Sequence, residues 1–131
     1  MKTALLLVDI QKEYFPGGAM VLDGSVEAAV QAKKLLAHFR YNHLPTIFIQ
    51  HVSLDPEATS FRPGSPGISL DSSIRPLPGE AVVCKHHPNS FCDTNLLELL
   101  RTGEIVTMVE QPALSDTDIH SLDAEGGHEC R

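Results

Sequence analysis

Thr3-Ala-Leu-Leu-Leu-Val-Asp9 is the stretch that decides the fold: an unbroken apolar run that stops at an acid. A strand with one wet face alternates polar and apolar residues, whereas an unbroken run fits a strand covered by helices on both sides, as in a parallel sheet. Working outward, a turn-rich Phe15-Pro-Gly-Gly18 follows. Ser25 then stands ahead of Val26, Val30, Leu35 and Leu36 as the expected N-cap of a helix running to about Asn42. Leu44 to His51 reads as a second strand, with Pro45 near its start, where a missing N–H is tolerated. Pro56, Pro63, Pro66, Pro76 and Pro78 make residues 54–79 a loop, and so long a loop in a compact domain is usually functional or mobile. Ala81 to Lys85 is a short third strand. Thr94 is expected to cap a helix from Asn95 to Arg101 ended by Gly103, and Glu104 to Glu110 is a fourth strand.

This order predicts an α/β fold, an open sandwich around a mostly parallel sheet. With no further strand expected after residue 119, the fourth strand is predicted to be an open edge that invites pairing with another chain, so the protein is expected to be a homo-oligomer. In such folds ligands gather at the carboxyl ends of strands, where Asp9, His51 and Lys85 stand.

Composition bounds the rest. The 131 residues are 42% apolar and 21% charged, as in an ordinary globular domain. Of the net charge of −7, most lies in residues 110–131, which hold six acids and one base. A net-negative chain without a Lys/Arg cluster or Trp makes a poor nucleic-acid binder. No apolar run nears the length of a membrane span, and Ala4 to Val8 is too short for a signal-peptide core, so no membrane association and a cytoplasmic location are expected. Cys84, Cys92 and Cys130 lack Cys-x-x-Cys spacing, which argues against a zinc site. Cys84 should point away from the Lys85 face into the core, Cys92 should pack or wall a pocket, and Cys130 should be unconstrained near the chain end.

Asp9 would lie at the rim of a dry sheet, where its carboxylate needs a cation, and Lys85 is the candidate. Such a pair can transfer protons in a cleft; it can equally be a structural ion pair. The segments Ala4-Leu-Leu-Leu-Val-Asp-Ile-Gln11 with Phe15, Phe61-Arg-Pro-Gly-Ser-Pro-Gly67, and Val83-Cys-Lys-His-His-Pro-Asn-Ser-Phe-Cys-Asp-Thr-Asn-Leu96 together resemble the isochorismatase-like (cysteine) hydrolases, which include nicotinamidases and carbamoylsarcosine amidases. The resemblance implies a three-layer sandwich of the isochorismatase-like type with an incomplete C-terminal part, as one domain over residues 1–131 with a divergent tail at 110–131. It also implies cofactor-free hydrolysis of a small molecule, most often at an amide C–N bond, by an Asp, a Lys and a Cys nucleophile. Asp9 and Lys85 match the first two.

The Cys does not carry over, because Pro112 stands at the family's glycine, Ser115 at its hydroxyl and Asp118 where the thiol belongs. A carboxylate is a weaker nucleophile toward amides, so impaired activity is expected, with Cys-independent vinyl ether hydrolysis, or a remnant that only binds ligand or self-associates, as alternatives. The resemblance places Gln11, Phe15, Phe61, Phe91 and Leu114 around the substrate. Nicotinamidases of this group hold a metal through Asp-x-His, a spacing absent from His51-Val-Ser-Leu-Asp55, and no metal is expected.

Overall fold

A computed structural model describes residues 2–113 and 117–121. The elements run β1 (Lys2–Val8), α1 (Ser25–Tyr41), β2 (Thr46–His51), β3 (Ala81–Lys85), α2 (Leu96–Thr102), β4 (Ile105–Pro112) and β5 (Asp118–Ser121), with single 3-10 turns at Lys12–Tyr14 and Pro66–Ile68. They form one sheet in the order β3-β2-β1-β4-β5. The first three junctions are parallel, and β5 alone runs antiparallel, against β4.

The opening run does what its composition requires. Successive side chains of a strand point to opposite faces, and Leu5 and Leu7 join Phe48 under Ala29, Ala32, Leu36 and Phe39 of α1. Ala4 and Leu6 join Ile47, Ile49 and Val83 under Leu96 and Leu100 of α2. The α1 contacts recur at three- and four-residue spacing, one stripe of a helix. Helices on both faces therefore seal β1, which is why no position from Ala4 to Leu7 is polar.

The expected elements shift at their ends. Gly24, at φ 86°, takes the N-cap of α1, and Ser25 becomes the first helical residue, buried. Asn95 is the N-cap of α2. The Thr94 hydroxyl still accepts the Leu96 N–H at 3.3 Å, so it serves this helix end from one position earlier. The 54–79 segment is a loop apart from its single 3-10 turn.

Two expectations are overturned. Cys84 is exposed, because the face of edge strand β3 that carries Val82 and Cys84 has no helix over it. The open edge at β4 is also absent: β5 lies along it, pairing Thr107 with Ser121 and Glu110 with Asp118. Asp118, Ile119, His120 and Ser121 offer a single apolar residue, too weak a signal for a strand, and all four are exposed. Backbone pairing and the His120 Nε2 contact with Glu110 Oε2 at 3.2 Å hold it in place.

Arg40 of α1 is tied to Glu80, just ahead of β3, through Nε to Oε2 at 2.9 Å and Nη2 to Oε1 at 2.6 Å. Thr46 Oγ1 and the Leu77 N–H donate to the same carboxylate. Hydrogen bonding from Arg40, above all, pulls the Glu80 carboxyl from its ordinary 4.5 down to about 2. A depressed carboxyl stabilises the fold above the unfolded-state value and loses that contribution as pH falls toward 2. Glu80→Gln should therefore flatten the acid limb of stability between about pH 4.5 and 2, as read by urea unfolding across that range. An unchanged acid limb would show that Glu80 does not link folding to protonation.

Candidate active site

Parallel pairing sets the carboxyl ends of β1, β2 and β3 side by side. His51 is the register partner of Lys85, so both side chains leave the same face. Asp9, one residue beyond β1, donates its N–H to the Ile49 carbonyl at 3.0 Å and then turns into a left-handed conformation at φ 57°. That turn ends the strand. From it, Asp9 Oδ2 meets Lys85 Nζ at 3.3 Å.

Lys85 is 2% exposed, and an ammonium so placed needs acceptors for all three of its hydrogens. It has them in Asp9 Oδ2, the His87 carbonyl at 3.2 Å and the Pro88 carbonyl at 3.3 Å. The same contacts pin the loop leaving β3. Burial raises the Asp9 pKa, and Lys85, by charge and hydrogen bond, and His51 pull against that rise. Burial is also the main cause that lowers the His51 pKa, reinforced by Lys85 and opposed by Asp9. Among the described residues Asp9 Oδ1 and His51 Nδ1 are buried without a hydrogen-bond partner.

Gln11, expected against the substrate, is instead a clamp. Fully buried, it donates to the His51 and Ile68 carbonyls at 2.8 and 2.9 Å and accepts the His51 N–H at 2.8 Å. Both amide hydrogens are thereby used, and none is left for a ligand. Gln50 holds the same Ile68 carbonyl at 2.7 Å. Phe61 is buried, with its ring edge-on to His51 at 5.4 Å and to Tyr14 at 4.9 Å. Its backbone is left-handed at φ 55°, an uncommon conformation for a bulky residue.

The group that holds Phe61 there gave no warning in the sequence: Glu13, also buried, accepts the Phe61 N–H at 2.6 Å and the Ala19 N–H at 2.9 Å. Gly67 packs against the Glu13 carboxylate so closely that a Cβ would sit 2.4 Å from it. Only the alternation Asp9-x-Gln11-x-Glu13 after an apolar strand could have pointed to it.

Phe15 belongs to the α1-side core and lines an open cleft of about 640 Å³, together with Lys12, Arg62 and Asp71. Neither Asp9 nor Lys85 lines that cleft. Phe91 is half-buried against the α2-side core, and Leu114 lies outside the described residues. Asp118 does not join the pair. Pro112 is level with Val8 and Glu110 with Leu6, and after Pro112 the chain doubles back. Asp118 therefore returns to the level of Glu110, roughly 10 Å short of Asp9 along the strand direction at the usual rise per residue. It is exposed there and makes no ion pair or hydrogen bond with Asp9 or Lys85. His87, Cys92 and Asp93 bring ligand-type atoms within 4.8 Å of one another, but Asp93 already meets His87 at 3.1 Å, which accounts for that proximity. His86 turns the other way, to the Val52 carbonyl.

The fold is thus a mostly parallel α/β sheet with an acid and a lysine meeting at its strand ends. Residues 3–109 match the isochorismatase domain model, and the chain belongs to the isochorismatase family. It is 46% identical over 135 residues to the uncharacterized isochorismatase family protein YddQ of Bacillus subtilis (strain 168), covering 100% of this chain and 74% of that one. A solved chain described as an isochorismatase hydrolase, from Oleispira antarctica, superposes with TM-score 0.77 at 43% identity, over 83% of this chain and 59% of the other. N-carbamoylsarcosine amidase from Thermoplasma acidophilum superposes with TM-score 0.76 at 30% identity, over 86% and 68%. The chain thus spans only part of the length of these relatives. Among the described residues no helix is long and apolar enough to cross a membrane.

Two outcomes test this geometry. Lys85→Met should raise the Asp9 pKa further, because it removes the stronger of the groups that oppose the rise; NMR titration of the Asp9 carboxyl reads it, and an unmoved titration would dissolve the pair. Gly67→Ala should destabilise the protein by about 1–3 kcal/mol, since the methyl must displace Glu13 or the loop. Denaturant midpoints compare it with wild type, and an unchanged midpoint would show that the loop gives freely.

Proposed function

We propose that the Asp9–Lys85 pair is the proton-transfer centre of a small-molecule hydrolase acting on an amide C–N bond. The observation that carries this is the 3.3 Å ion pair with a lysine that is 2% exposed, at the carboxyl ends of two parallel strands that flank β2. Lys85 has every hydrogen occupied, so it acts as a fixed positive charge. Asp9 keeps one oxygen on Lys85 and the other, Oδ1, without a partner. A buried carboxyl with a raised pKa exchanges protons nearer neutrality than an ordinary aspartate does, which suits it to exchange them with the reacting groups, the leaving nitrogen above all. Likeness to a solved amidase supports this choice of bond.

A second reading has its own support. Among the described residues no cysteine makes a hydrogen bond with Asp9 or Lys85, and Cys84 is exposed on the other face of β3. An acid held protonated by burial can hydrolyse a vinyl ether without a thiol, by protonating carbon. The two readings separate in one assay series over nicotinamide, an N-carbamoyl amino acid and isochorismate. Amide turnover that falls on the order of 10²-fold or more in Asp9→Asn and Lys85→Ala is the expected result. Turnover of isochorismate alone would favour the vinyl ether reading, and ligand binding without any turnover would leave a binding remnant. Amide turnover indifferent to both substitutions would overturn the assignment of the pair.

A further inference from the structure

His51 is held more firmly than a strand-end residue requires. Its N–H and its carbonyl are both taken by the Gln11 side chain, its ring is braced by Phe61, and Phe61 is fixed in turn by Glu13. Register with Lys85 puts it on the face where Asp9 meets the ammonium. The charged and titratable groups that act on it are Lys85, Asp9, His86 and His87, with Tyr14 on the far side of Phe61. Two buried polar atoms of this cluster, Asp9 Oδ1 and His51 Nδ1, have no partner among the described residues. Buried polar atoms without a protein partner are where a water or a reacting molecule can bond.

We propose that His51 is a second proton-transferring residue of this site, working opposite Asp9 so that water, without a thiol, is the nucleophile. This rests on the reading of the Asp9–Lys85 pair as a hydrolase centre. The water oxygen bonds to the amide carbonyl carbon while one of its protons passes to His51 Nδ1. The C–N bond then breaks, its electron pair stays on nitrogen, and nitrogen takes the proton of the Asp9 Oδ1 carboxyl. Products are a carboxylic acid and an amine, and return of the proton from His51 to Asp9 restores the starting state. The cycle starts with a proton on Asp9 and none on His51, and burial shifts the two groups toward those forms.

On the amide turned over in the assay series, His51→Gln and His51→Asn should lower kcat on the order of 10²-fold with KM within about threefold, and should remove the acid limb of the kcat/KM profile. Added imidazole should restore part of the rate to His51→Gly, an effect that a merely structural histidine would not give. Undiminished kcat in folded His51 variants, or no imidazole rescue, would overturn the proposal. A separate reading needs no turnover: long-range 1H–15N spectra should show His51 at neutral pH with its proton on Nε2 and a free Nδ1, and Asp9→Asn should lower its pKa. A proton resident on Nδ1, or a His51 titration deaf to Asp9→Asn, would overturn it as well. Absence of turnover on every substrate strikes the hydrolase reading itself, and that spectrum then decides the placement of His51.

Discussion

The structure hinges on the requirement that a buried ammonium be met on every side. Lys85 sits in the sheet's own plane of burial, and without Asp9 and two loop carbonyls it would carry a desolvation cost of several kcal/mol. Meeting that requirement ties the end of β1 to the end of β3 and folds the loop at His87–Pro88 back on the strand it leaves. The arrangement yields a charged centre whose geometry the backbone sets, as electrostatic preorganisation demands. One partner is a side chain that can change its protonation, and the other two are carbonyls that cannot. Of the three groups that meet Lys85, Asp9 is therefore the variable one.

Much of this was legible from residues. The five-residue apolar run from Ala4 to Val8 gave β1 and its double coverage because burial on both faces forbids alternation. The strand-end rule then brought Asp9, His51 and Lys85 to one rim, and the register of β2 with β3 bears out that placement. β5 escaped notice because an edge strand exposed on both faces has no apolar signature; its pairing partners are set by the reversal of the chain, which no single residue announces. Cys84 misled for a related reason, since alternation fixes which face a side chain takes and leaves open whether a helix covers that face.

The side chains around the pair were harder. The resemblance places Gln11 and Phe61 beside the substrate, and within the protein they contact backbone and His51, which no sequence pattern announces. Glu13 looked like any surface acid until the chain folded Phe61, Ala19 and Gly67 around it. These roles depend on a loop closing over residues some fifty positions earlier, and such closure leaves no local periodicity to detect.

The left-handed backbone at Asp9 also limits which acid this rim can accept. Aspartate visits that region more readily than most residues because its short carboxylate can bond locally. Glutamate would bear the ordinary cost of about 1–2 kcal/mol and would carry its oxygens a methylene too far for an ammonium tethered at fixed carbonyls. The choice between the two acids, interchangeable by charge, is thus dictated by a single torsion angle.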